Sequence, residues 1–339
     1  FEIPGNLYGL EYILQNYGYC AVIAHTPPFH GLLPRLRTVS TILYDHGEPP
    51  AEWFPTERVV RESILKNKQV EILPAVDRVI TISQFIAKSI HWPDAIVIPN
   101  GADHLLVRYP GRNLFLDPKR LPAILCVSRL GPGERIYKGI DCLAKLAADL
   151  KGRFRVILAG KGTMSDQIEL EGRGIDVFLN PTDAELADLY SSVDAVVSFS
   201  RWEGFNLPLV EGGFYGRPGY ALDVGAHSEV TPFCFASYEE LKSRLDASSI
   251  QSLREDGQRM HEFVSRFTWD SNVQKLVAIL NGLSEPEPPK QSISWVSLAR
   301  IRLVWAYWKW LRAGVRKARM LVKGIKRIVA SPRGRASET

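Results

Sequence analysis

The densest chemistry in the sequence lies in residues 198–229, where two carboxylates, Glu203 and Glu211, bracket the run E-G-F-N-L-P-L-V-E. The apolar run 195–199 reads as a strand, and Pro208 opens a helix-type stretch, where its missing N–H costs nothing. Strand, tight loop and helix in this order put the loop at the carboxyl end of a parallel strand, the place where open α/β sheets bind ligands. The N–H groups of Phe205, Asn206 and Leu207 would point at an anion with the helix dipole behind them, and Gly204 lets the backbone come close. Glu203 stands at the mouth of the loop. Glu211, expected in the first helical turn, can accept hydrogen bonds from a diol such as ribose. Two acids alone would read as a helix-start charge and a solvated loop residue; the surrounding loop reverses that preference.

The elements that must position these residues follow from hydrophobic periodicity. Short apolar runs at 21–24, 41–44, 78–82, 95–98, 123–127, 155–159, 175–179, 195–199 and 219–222 alternate with helix-length amphipathic stretches at 56–71, 83–91, 139–150, 184–191 and 208–215. Such alternation predicts an α/β protein with parallel sheets built from βαβ units. The apolar runs are near-continuous, as strands covered by helices on both faces require. The expected architecture is two Rossmann-like, doubly wound domains: residues 1–110, then 111–283. The first has only about 105 residues and four candidate strands, which predicts truncation at its N-terminus. Residues 284–292 form a Pro-rich linker, 293–330 a basic amphipathic helix and 331–339 a disordered tail.

The motif at residues 203–211 resembles that of family-4 GT-B glycosyltransferases, two glutamates with seven residues between them in the form E-G-F-x-L-P-x-x-E. Glu203, Gly204, Phe205, Leu207, Pro208 and Glu211 fall in register; Asn206 stands where many members carry glycine, and its backbone donor is retained. The resemblance implies that Glu203 faces a donor sugar and Glu211 holds a nucleotide ribose. The segment 126–141, C-V-S-R-L-G-P-G-E-R-I-Y-K-G-I-D, resembles the stretch in which paired cations, here Arg129 and Lys138, clamp the donor diphosphate. Two fixed cations stabilise a departing nucleoside diphosphate without a metal. Residues 156–162 look like the turn beside the base, with Lys161 a further donor-contact candidate, and 223–229 like the loop that closes the pocket. Residues 17–104 resemble part of the acceptor-side domain, whose strand ends in a site-facing histidine, here His25; His30 and His46 are the other candidates. The family's first strand and Gly-rich loop are missing, since Gly5 and Gly9 follow no strand.

The resemblance implies transfer of a sugar from a nucleoside diphosphate-sugar with retention at the anomeric carbon, with no cofactor and no metal. Four scattered cysteines, with no C-x-x-C, fit a reduced cytosolic setting in which the thiols are small core residues. The net charge of +5 hides an asymmetry: residues 291–339 carry twelve Lys or Arg and one acid, Glu338, which leaves −6 for the rest. Within 293–330 a basic face opposes an aliphatic one, and Trp295, Trp305, Trp308 and Trp310 cluster near its start. This predicts an interfacial helix on anionic lipid, placing the protein peripherally on the cytoplasmic face of a membrane with a carbohydrate or lipid-linked acceptor. Tryptophans fit poorly in a coiled-coil seam, and nucleic acid would not explain the apolar stripe. The alternative is a non-catalytic, degenerate GT-B domain that binds a membrane or protein partner.

Overall fold

The computed structural model describes residues 10–11, 13–14, 18–114, 119–131 and 133–283. Gly5, Gly9, the expected linker, the basic helix 293–330 and the tail lie outside the described residues. The described strands form two parallel sheets. In the first, β1 (Ala21–Ala24), β2 (Ser40–Asp45), β3 (Arg78–Thr81) and β4 (Ile96–Val97) lie in chain order. In the second, β5 (Ala123–Val127), β6 (Arg155–Gly160), β7 (Ile175–Leu179), β8 (Ala195–Ser198), β9 (Gly219–Leu222) and β10 (Phe233–Phe235) run in the order β10-β9-β8-β5-β6-β7.

The second order fixes the position of the site. The chain starts in the centre at β5, builds outward to β7, then crosses back to β8 beside β5. Connections leaving β5 and β8 therefore diverge, and a crevice opens between their carboxyl ends. The central strands are apolar on both faces: Ile124, Leu125, Ile157, Leu158 and Val196 are fully buried. Burying a large aliphatic side chain contributes about 1.5–3 kcal/mol, so this layer anchors the crevice.

Two features depart from the sequence pattern. β10 was not expected, because three residues, Phe233–Phe235, are too short to show a period. The expected helix over 56–71 is Arg58–Asn67, which continues as a π-turn, Lys68–Ile72. A π-turn adds a residue to the turn and redirects the side chains that follow. Here Lys68 is fully buried instead of solvated.

The halves meet through polar contacts. The helix Trp269–Asn281 returns to the first sheet: Asn272 Nδ2 donates to Pro99 O at 2.7 Å and to Tyr44 OH at 3.1 Å, and the Trp269 N–H donates to Asp103 Oδ1 at 2.8 Å. The N–H groups of Gln84 and Phe85, opening the helix Gln84–Ser89, donate to Glu229 at 2.8 and 2.7 Å. Ser83 caps that helix, accepting from the Ile86 N–H at 3.2 Å.

Candidate functional site

Lys138 and Glu203 meet at the crevice. Lys138 ends the loop after β5; Gly139 follows it with φ +66°, and a Cβ there would lie 2.1 Å from the Phe199 carbonyl oxygen. Only glycine allows the loop to sit this tightly on the end of β8. That contact brings Lys138 Nζ to 2.5 Å from Glu203 Oε1, with both side chains largely buried. Arg129 is more exposed. Its Nε lies 3.0 Å from Glu134 Oε1 and its Nη2 donates to Tyr137 OH at 3.4 Å. The Lys138 ammonium sits 5.1 Å from the Tyr137 ring centre, so buried Tyr137 has one cation against its hydroxyl and the other near its ring.

Beyond Glu203 the chain enters the helix Leu207–Phe214. Among the described residues, no acceptor is found for the N–H groups of Phe205, Asn206 and Leu207. The Asn206 side chain is turned inward. Its Nδ2 donates to Ser198 Oγ at 2.8 Å and lies 2.9 Å from His227 Nε2, while His227 Nδ1 is 2.6 Å from Leu222 O. A carbonyl only accepts, so Nδ1 carries the proton and Nε2 accepts from the amide. Burial holds the His227 pKa below the usual imidazole value, consistent with this neutral ring.

Glu211 is in the second helical turn, not the first, because the helix begins at Leu207. Tyr190 OH donates to its Oε2 at 2.8 Å, and His104 Nε2 stands 3.8 Å from its Oε1. Burial pushes the Glu211 carboxyl up to about 7; the Tyr190 hydroxyl opposes the shift and Asp183 adds to it. No described contact joins Glu211 to Arg129, Lys138 or Glu203.

The sequence profile described as "Glycosyl transferases group 1" matches residues 121–245. Over that stretch the chain is similar to this family. No curated protein sequence matches the chain. Among solved structures, sucrose-phosphate synthase from Thermosynechococcus elongatus superposes with TM-score 0.65 at 19% identity, over 81% of this chain and 76% of that one. HepE from Anabaena, solved with UDP and glucose, gives 0.62 at 18% identity, covering 78% of each chain. A glycosyltransferase from Rickettsia africae gives 0.61 at 19% identity, over 82% and 80%. At such identities the likeness speaks for the fold, which is GT-B.

Facing the stretch 121–245, the first sheet presents a pair of imidazoles. His25 Nδ1 lies 3.0 Å from His46 Nε2, and both rings pack on Tyr44. His46 belongs to a segment that touches the loop after β8: a Cβ on Gly204 would come within 2.8 Å of its carbonyl oxygen. His30 has no described contact with this pair's rings. It is buried, both ring nitrogens lack a partner among the described residues, and burial pushes its pKa down to about 4. Lys161 is exposed, and only its carbonyl oxygen has a described contact, with the Leu130 N–H at 2.8 Å. Of the cysteines, all free, Cys126 is buried but Cys20 is exposed, so the expectation of small core thiols fails there.

Behind His46, Lys68 Nζ reaches Asp45 Oδ1 and Oδ2 at 2.9 Å and also pairs with Glu48. Burial raises the Glu48 pKa. No sequence signal marks this cluster, since Lys68 falls in what reads as an amphipathic helix. Tyr190, His104 and His227 were also missed; each lies far along the chain from its partner. A separate groove of about 490 Å³ between the halves is lined by Pro99, Phe205, Glu229 and Phe267, and none of Arg129, Lys138, Glu203 or Glu211 lines it. Among the described residues, no three His, Cys, Asp or Glu side chains are grouped to hold a metal ion, and no helix is long and apolar enough to cross a membrane.

Proposed function

We propose that the protein transfers a sugar from a nucleoside diphosphate-sugar to an acceptor hydroxyl with retention at the anomeric carbon. The observation that carries this reading is the Lys138–Glu203 pair in the crevice between β5 and β8, beside the helix that opens at Leu207. A diphosphate lodged there meets the Lys138 ammonium, the nearby Arg129 guanidinium and the N–H groups of residues 205–207. These groups act as the anomeric C–O bond breaks and its electron pair moves onto the diphosphate, stabilising the charge that develops without a bound metal. The acceptor oxygen bonds to the anomeric carbon on the same face, and its proton passes to the departing diphosphate. Glu203 faces the donor sugar, and Glu211 accepts from the ribose diol. The His25–His46 pair lines the acceptor side. Closure of the halves excludes water, which strengthens each of these electrostatic contacts.

HepE, a structure of the same fold, holds UDP and glucose, which supports UDP-sugars as the first donors to test. The full chain is incubated with UDP-, GDP- and ADP-sugars and simple glycoside acceptors, and the product linkage is read by NMR. Release of nucleoside diphosphate with an axial or equatorial linkage matching the donor supports the reading. Inverted product, or no donor turnover and no nucleotide binding, refutes it.

For residues 293–330 we propose a peripheral seat on an anionic cytoplasmic membrane surface, suited to a lipid-linked acceptor; the sequence pattern supports it. Co-sedimentation with phosphatidylserine vesicles, lost on removing 293–330 and weakened by salt, is the expected result. Equal binding to neutral vesicles would overturn the electrostatic part.

A further inference from the structure

We propose that His104 is a second contact for the nucleotide, sharing one ribose hydroxyl with Glu211; this rests on the ribose reading of Glu211. His104 begins the helix His104–Arg108, a few residues beyond the carboxyl end of β4, and so belongs to the half opposite Glu211. Its Nε2 is 3.8 Å from Glu211 Oε1. That gap is too long for a direct hydrogen bond, but one hydroxyl oxygen fits between, about 2.8 Å from each.

The two groups are complementary to a hydroxyl. The carboxylate only accepts. The Trp269 indole N–H, which only donates, reaches His104 Nδ1 at 3.3 Å. Nδ1 therefore offers its lone pair, and the neutral ring carries its proton on Nε2, the nitrogen beside Glu211. A hydroxyl between them donates to Oε1 and accepts from Nε2–H. Tyr190 already occupies Oε2, so Oε1 is the oxygen left for the ligand. The approach is open on the imidazole side, where the His104 side chain is 45% exposed.

The ring is also held by the contact between the halves. The Trp269 backbone N–H donates to Asp103 Oδ1, and Gly101 lies so close to Trp269 that a Cβ would be 2.3 Å from that backbone nitrogen. Ribose recognition is thereby coupled to docking of the helix Trp269–Asn281 on the first sheet.

The test is calorimetry on the full chain with UDP, GDP and ADP and then, for the tightest of them, its 2′-deoxy and 3′-deoxy analogues. The expected result is a preference for the ribonucleotide over at least one deoxy analogue. His104→Ala should cut that preference about tenfold, the scale of one hydrogen bond to a polar group, while leaving the analogue's affinity unchanged. His104→Gln, which keeps an N–H donor, should restore part of it, and Trp269→Phe should lose part of it. An unchanged preference in His104→Ala, with the preference lost in Glu211→Gln, overturns this inference alone. A preference retained in both variants, or no binding of any nucleotide, overturns the ribose reading as well.

Discussion

Lys138 and Glu203 form an ion pair 2.5 Å long across the gap between the segments that follow β5 and β8, joining a cation and an acid 65 residues apart. On the proposed function, the pair ties the diphosphate side of the crevice to the sugar side. Removing Lys138 deletes the proposed phosphate cation and leaves a largely buried carboxylate without its partner. Lys138→Ala is expected to weaken nucleoside diphosphate binding about tenfold or more and to lower stability by about 1–3 kcal/mol. Glu203→Gln should keep most of the nucleotide affinity yet slow transfer about 10²–10³-fold. Calorimetry, urea melts and turnover separate the two effects; equal loss of binding in both variants would argue against distinct roles.

The Glu211 carboxyl gives a pH dependence with a definite sign. Burial lifts it from an ordinary 4.5 to about 7, so in this window the folded protein binds a proton more readily than the unfolded chain. Stability should fall as pH rises from about 4.5 to 7 and level off above that. Glu211→Gln, which can still accept from Tyr190, should remove this slope and gain up to about 3 kcal/mol at pH 8. Binding of an intact nucleoside diphosphate-sugar, which does not titrate here, should tighten as pH rises through 7 in the unaltered chain only. Thermal melts and calorimetry from pH 5 to 8 test both statements, and a flat stability profile would contradict the burial assigned to Glu211.

The buried cluster of Lys68, Asp45 and Glu48 predicts an asymmetry between single and combined changes. Lys68→Met leaves two buried carboxyls without a cation and should cost about 3–5 kcal/mol in urea unfolding. Adding Asp45→Asn and Glu48→Gln should recover much of that loss, because the uncompensated charge is gone. A triple variant no better than Lys68→Met would show that packing of the lysine stem dominates instead.

Gly204 lies where the halves touch. An added methyl would meet the His46 carbonyl oxygen at 2.8 Å and Ile86 Cδ1 at 3.2 Å. Carbonyl backbone yields less readily than the tip of a side chain, so Gly204→Ala should force the halves apart. The expected readout is a fall in transfer of about tenfold or more, since small misplacements at a reacting centre are costly, with nucleoside diphosphate affinity nearly unchanged. A drop in affinity matching the drop in turnover would place the damage in the loop itself.

The sequence by itself determined the parallel α/β plan, most strand positions and the loop that carries Glu203, Gly204 and Asn206. These rest on local signals, namely runs of apolar residues as long as a strand, a proline in a first helical turn and glycines where backbone must pack closely. The resemblance of residues 126–141 to a cation-bearing stretch of the family also pointed to Lys138. Only the tertiary structure decided which side chains meet. Glu203 takes Lys138, Asn206 takes His227 and Ser198, Glu211 takes Tyr190 and stands near His104, and His25 takes His46. None of these partnerships has a period or a spacing along the chain. Except for Asn206 and Ser198, they arise because parallel strands are joined by long crossovers, so residues neighbouring in the crevice are far apart in sequence. The burial that raises Glu211 and hides Lys68 has the same origin, since solvent exclusion belongs to the packed elements together and to no segment alone.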